Sequence, residues 1–403
     1  MPDNKRQHYV PKSTLRHFAC DADERQINII NIKRGRIISR ASLRDQCYRD
    51  YFYGKATQVE QNLCQMEGIF AGLARKMIGS NKIDRLDGLH IVMMIALQRA
   101  RTLRAEEEIN GMVDKMAKLM MFNRVSEEEL RKVRVGLTDS ASFMVGQALA
   151  LSPITLDLKQ FLIVNQSSVP FIISDNPVVV TNWFCRVRLP SRSSAGMTRS
   201  GLQMFMPLSP KHALLLHDNN VYQTDCENNV IVIIREQDAA GFNELQWFNA
   251  HKNVYFPPSL GEEHVEGLLK TERSQEELFS FQRLESTEDA NTFRSTDKDE
   301  FAPPSENVTS ELLHFSAKPL PKDIRVRGVK IRARPRYHDD GSMGSPRRDP
   351  IWSEIIEDFA SAIRAKKRSF SDLWTFVEQH HRAPQIGPWL RRATRRAGPR
   401  SDP

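Results

Sequence analysis

The sequence predicts an α+β protein on three observations. Apolar residues recur at helical spacing from 55 to 150, short β-branched runs dominate from 158 to 234, and the surplus positive charge collects after residue 317. The full expectation is an N-terminal hairpin and a helical segment, then a β-sheet, then a small basic C-terminal helical region. Composition divides the chain into a body over 1–260, a polar flexible linker over 261–317 and a basic, partly helical region over 318–403.

Each element has its own signal. Gln26 to Ile32 alternates polar and apolar residues and is separated by Gly35 from Arg36-Ile37-Ile38, which predicts a hairpin. Val59, Leu63, Met66, Phe70, Leu73 and Met77 follow at three- and four-residue steps, an amphipathic helix ending near Gly79. A second helical run is expected from near Asp84 as far as Phe122, and Ser126 with Glu129 has the capping-box order of a third. Phe161 to Val164, Phe171 to Ile173, Val178 to Val180, Ala213 to Leu216 and Val230 to Ile234 predict strands with buried faces. Gly241 to Ala250 looks helical again. Acidic and hydroxyl residues dominate 271–310, hence the expected linker. Ile324 to Arg332 alternates basic and apolar residues, as a basic-faced strand or a charged tail would, and two helices with a short third are expected beyond residue 350.

Charge and composition narrow the functional classes. Residues 318–403 hold 20 Lys and Arg against 10 Asp and Glu, leaving 38 against 40 in the rest of the chain. Attraction to nucleic acid or another polyanion is therefore expected from the C-terminal region and not from the body. The longest apolar stretch, Leu89 to Leu97, contains His90 and is too short to span a bilayer, and no apolar segment follows the basic N-terminus. No membrane contact and a cytoplasmic setting are expected. Five cysteines without a C-x-x-C pair predict neither a disulfide framework nor a zinc knuckle. P-loop, dinucleotide-binding, zincin and nucleophile-elbow motifs are absent, which disfavours those chemistries.

The opening Lys5-Arg6-Gln7-His8-Tyr9-Val10-Pro11, followed by Leu15-Arg16-His17-Phe18, is dense in groups that bind ligands or move protons. Further along come Tyr51-Phe52-Tyr53, a helix carrying Val59, Glu60, Leu63 and Glu67, then Gln98-Arg99 with Arg101, Ser174-Asp175-Asn176-Pro177, and Met206 to Pro210. In this order, over residues 5–257, the pieces resemble a bacterial family known as domain of unknown function 4238. The resemblance implies no particular reaction, and it does not reach the C-terminal region.

The same residues supply candidates for chemistry. His8 titrates near neutrality when unperturbed, so it suits a general acid/base or a metal ligand. Glu60 and Glu67 stand two helical turns apart on nearly one face, either as carboxylates with raised pKa or as a structural ion pair with Arg99 or Arg101. Asp175, between two strands, either binds a metal or orients a histidine, or else accepts backbone N–H bonds in an Asx-turn before Pro177. As a catalytic set, His8, Glu60, Glu67 and Asp175 would serve a metal-assisted hydrolase such as a nuclease. In that set His8, Glu60 and Asp175 would hold magnesium or manganese, and Gln7, Arg16 and Arg101 an anionic substrate. Arg391, Arg392, Arg395 and Arg396 share one face if helical and suit a nucleic-acid backbone. The alternative is a non-catalytic binding or sensor module that contacts nucleic acid or a protein partner through the basic C-terminal region.

Overall fold

The computed structural model describes residues 5–55, 57–121, 125–190, 196–273, 279–287, 294–296, 306–317, 320–341 and 344–386. The opening block folds back on the body as strand β1 (Arg6–His8) and helix α1 (Lys12–Arg16), with Pro11 at the start of α1, where its missing N–H costs nothing. Then come β2 (Gln26–Asn31), β3 (Arg36–Ser42), β4 (Tyr48–Asp50), α2 (Thr57–Ser80), α3 (Gly88–Ala100), α4 (Leu103–Met121), α5 (Glu127–Lys132) and α6 (Ser140–Leu151). The second half holds β5 (Lys159–Asn165), β6 (Ile173–Ser174), β7 (Val179–Thr181), α7 (Trp183–Arg188), β8 (Gln203–Ser209), β9 (His212–His217), β10 (Tyr222–Thr224), β11 (Val230–Ile233), α8 (Glu236–Asn249), β12 (Asn253–Phe256) and α9 (Glu262–Lys270). Beyond these lie β13 (Phe279–Thr287), β14 (Arg294–Thr296), β15 (Val308–Ala317), β16 (Val329–Ile331), α10 (Pro350–Arg364) and α11 (Leu373–Gln379).

The main sheet has the order β11-β5-β9-β8-β7, with β11 parallel to β5 and the other pairs antiparallel. Its central strands read as unbroken apolar runs because both faces are covered. Leu162, Met204, Met206, Leu214 and Leu216 face a core built from Leu63, Phe70 and Met77 of α2 and Ile91, Met94 and Ile95 of α3. Their neighbours Phe161, Ile163, Phe205, Ala213 and Leu215 face a second core with Phe242 and Leu245 of α8. A second sheet, β3-β2-β12-β6, brings the chain end of the body back to its beginning, since β12 pairs with β2.

Three expectations are altered by the structure. The long helix foreseen from Asp84 divides at Arg101 and Thr102, because the Thr102 hydroxyl accepts the Ala105 N–H and starts α4 anew. The stretch read as a polar linker contains α9 and the antiparallel sheet β14-β13-β15, since composition averages away the period-two pattern that strand pairing uses. The region after 317 is docked on the body: β16 pairs with β10, Leu320, Ile324, Val326 and Val329 complete the second core, and α10 with α11 forms a third around Ile154. Arg348 fastens this region, donating Nε to Asp157 Oδ2 at 2.8 Å and Nη2 to Oδ1 at 3.0 Å, with both side chains nearly inaccessible. No helix among the described residues is long and apolar enough to cross a membrane.

Candidate functional site

The family-like pieces meet where the C-terminal end of α3 touches β1. Gln98 and Arg101 are three residues apart and share one face of that end. Gln98 Nε2 donates to the Tyr9 carbonyl at 3.1 Å, and Arg101 Nη2 donates to the His8 carbonyl at 2.7 Å. Arg101 is 2% exposed. Its Nε donates to Tyr53 Oη at 2.9 Å, and Nη2 also reaches Glu67 Oε1 on α2 at 2.5 Å. A buried guanidinium is tolerable only when so paired. Burial pulls the Arg101 pKa down, and Tyr53 and Glu67 more than reverse it. The Tyr53 hydroxyl is pushed up to about 12, by burial against the pull of Arg101. Gln7 locks the adjoining turn, its Oε1 accepting the Tyr53 N–H at 2.6 Å and its Nε2 donating to the Gly54 carbonyl at 3.2 Å.

Beside this network lies a small cleft walled by α1, α2, α3 and β8. Its polar lining is Ser13, Thr14, His17, Glu67, Gln98 and Arg101, and its apolar lining includes Phe70, Ala71, Ala74, Met94 and Leu208. The cleft is partly open and measures about 30 Å³, room for about two waters. Arg101 spends Nε and Nη2 on protein partners, whereas its Nη1 and the second oxygen of Glu67 make no hydrogen bond among the described residues. The His17 ring is likewise uncommitted, and burial lowers its pKa, so it is neutral at pH 7.

The sequence-derived candidates separate in space. Gln7, Glu67 and Arg101 come together, with Arg101 and not Arg99 as the cation for Glu67. His8 joins through its carbonyl and not its imidazole. Its ring leans on Tyr48 at 5.9 Å, leaves Nδ1 buried without a hydrogen bond, and has its pKa lowered to about 4 by burial and the charge of Lys12. Glu60, on α2, acts on the Tyr53 hydroxyl and the Cys64 thiol. Asp175 is 2% exposed, and its carboxylate accepts the N–H groups of His251 at 2.8 Å, Lys252 at 2.8 Å and Asn253 at 3.1 Å. Burial raises its pKa against those three bonds and His251.

Among the described residues no three His, Cys, Asp or Glu side chains form a group able to hold a metal ion. His8, Glu60 and Asp175 do not form such a group. Arg16 is exposed on α1 and does not line the cleft. Arg391, Arg392, Arg395 and Arg396 lie outside the described residues.

Tyr53, Gln98 and His17 were not among the candidates. The three-residue step from Gln98 to Arg101 is the signal that could have found Gln98. Nothing local marks Tyr53 as the acceptor for an arginine 48 positions away. Fold and site together define an α+β body in which a buried arginine staples the first strand and opens on a cleft. The chain belongs to the family described as Protein of unknown function (DUF4238), which matches residues 6–259. No curated protein and no solved structure matches it.

Proposed function

We propose that the body is a binding or sensor module whose cleft receives a small carboxylate or acyl ligand. The observation that carries this reading is the unspent Nη1 of Arg101 on the wall of a half-apolar cleft. Three bonds already fix the guanidinium, so a ligand oxygen there meets a preorganised donor, and little further ordering cost follows. The alkyl part of the ligand lies against Phe70, Ala71 and Met94. The small volume of the cleft limits the buried portion to a few heavy atoms. Propionate titrated by calorimetry into the full chain is expected to bind saturably, propionamide more weakly, and Ala71→Leu, which fills the cleft and leaves Arg101 and Glu67 intact, is expected to abolish binding. A folded wild type that takes up no propionate contradicts the proposal.

One observation favours a hydrolytic version of the same site: a neutral, uncommitted His17 lines the cleft together with Ser13 of α1 and Glu67 of α2. A neutral imidazole is the form that accepts a proton from an attacking water or hydroxyl. In this version His17 replaces His8 as the base. Turnover of small esters by the wild type, lost in His17→Gln with propionate binding retained, separates this reading from binding alone.

A further inference from the structure

Residues 324–338 hold six Lys and Arg and no Asp or Glu. Packing turns that composition into a surface. Ile324, Val326 and Val329 are buried in the second core and Ile331 packs against it, so Arg325, Arg327 and Lys330, set between and beside them, face solvent. The two limbs of this strap meet at a turn. The Val329 N–H donates to the Val326 carbonyl at 3.1 Å, and Gly328 takes a φ of 91°, which a residue with a Cβ rarely adopts. After the turn β16 pairs with β10, which sets Lys330 opposite the neutral, exposed Gln223. Arg334 and Arg336 continue the exposed row, and Arg332 is fixed by its Nε donating to the Asn219 carbonyl at 2.9 Å.

The protein answers few of these charges. The side chains of Arg327, Lys330 and Arg334 make no hydrogen bond or ion pair among the described residues. Arg325 shares Asp323 with Arg186, but the Asp323 side chain is only 2% exposed. Asp225, exposed beside the turn where its N–H donates to the Gly328 carbonyl at 2.9 Å, offsets one cation, and Asp339 and Asp340 follow only after the row ends. A surface built for solubility alone mixes the two signs, whereas this one holds a single sign over fifteen residues. Aromatic rings are set among the cations. The Arg325 guanidinium lies over the Trp183 ring at 5.1 Å, Trp183 stacks on Tyr222, and Tyr337 rests on Phe184 at 5.5 Å with 38% of its surface exposed. Five of the six cations are arginine, whose planar fork takes phosphate oxygens in pairs, and exposed flat rings stack on bases.

We propose that the strap over residues 324–337 is a binding surface for single-stranded nucleic acid, separate from the cleft, with its cations on the phosphates and Tyr337 against a base. The test is fluorescence anisotropy of a labelled single-stranded oligothymidylate with the full chain over a range of sodium chloride. Three to six neutralised phosphates predict that log K falls with log salt at a slope of about −2 to −4. The triple variant Arg327→Gln, Lys330→Gln, Arg334→Gln is expected to flatten that slope by about 2 units and to weaken binding at least about tenfold at low salt. These side chains have no protein partner to lose, so its Tm is expected to match the wild type. Tyr337→Ser is expected to weaken binding about tenfold at an unchanged slope, because stacking releases no counterion.

Position is separated from net charge by Lys33→Gln, Arg34→Gln, Arg36→Gln, which removes the same three charges from exposed positions at the β2–β3 turn and is expected to bind like the wild type. An equal loss in that control overturns the proposal. Full affinity in the strap triple variant, which keeps the arginines beyond residue 386, or in Tyr337→Ser overturns it too. The same holds for a wild type that does not bind the oligonucleotide at low salt, or that binds polyglutamate or phosphatidylserine vesicles as tightly.

Discussion

His217 ends β9 in the middle of the main sheet, fully buried, stacked on Phe161 at 4.6 Å and bonded through Nε2 to Thr224 Oγ1 at 2.5 Å. Burial lowers its pKa to about 3. Above pH 6.5 the ring is neutral in both folded and unfolded chains, so its contribution to stability is complete. As the pH falls from 6.5 toward 3, the unfolded chain takes up a proton that the folded chain refuses, and that contribution shrinks by about 1.4 kcal/mol per pH unit. Asp218 next to it, raised to about 6 by burial, opposes the trend, because its contribution is whole below its unfolded pKa and lost as pH rises through 6. A comparison with His217→Gln isolates the imidazole. The variant is expected to be less stable than the wild type at pH 7 and to close the gap in urea denaturation at pH 5. A gap independent of pH would show that the ring titrates normally. Position and residue type in the sequence say that a histidine on a strand is present, but its burial depends on three neighbouring strands.

At the scale of elements, the turn Ser174 to Pro177 shows how much the sequence conveys. Its residue types announce a hydrogen-bonding turn, and its place between apolar runs announces a strand end. Its partners are not local. Gln246 of α8 accepts from Ser174 and donates to the Pro177 carbonyl, and Asn249 donates to the carbonyls of Asn176 and Val178. The Asp175 carboxylate caps the start of β12, some 76 residues along. A carboxylate demands donors, but nothing local tells which backbone supplies them. The same limit hid the clasp of Arg101 on β1, whereas the strands of the main sheet were legible because burial on both faces is written in each residue. Asp175→Asn places an N–H₂ group against at least one backbone N–H. It is therefore expected to cost about 2–3 kcal/mol in urea denaturation. A variant of unchanged stability would show that these three bonds contribute little to the fold.

At the scale of the whole molecule, charge and packing assign residues 318–386 differently. Their basic composition suggested a separable region, yet they insert Leu320, Ile324, Val326 and Val329 into the second core and bury Trp352 against Ile154. Burying each such aliphatic side chain is worth about 1.5–3 kcal/mol, so the four together amount to about 6–12 kcal/mol at the upper bound, comparable with the entire stability of an ordinary domain. Removing the region would also strip Arg348 from Asp157, whose pKa burial already raises against the pull of that arginine, leaving a buried carboxylate unpaired. A chain ending at residue 317 is therefore expected to aggregate or to lose its cooperative unfolding transition, even though the family match stops at residue 259. Arg348→Met is the milder probe. It leaves the apolar contacts in place, and is expected to lower stability by about 3–5 kcal/mol and to make the segment before α10 the first site of limited proteolysis. A truncated chain that unfolds cooperatively at the wild-type temperature would mean that the four aliphatic contacts contribute little, and that the body is a domain in its own right.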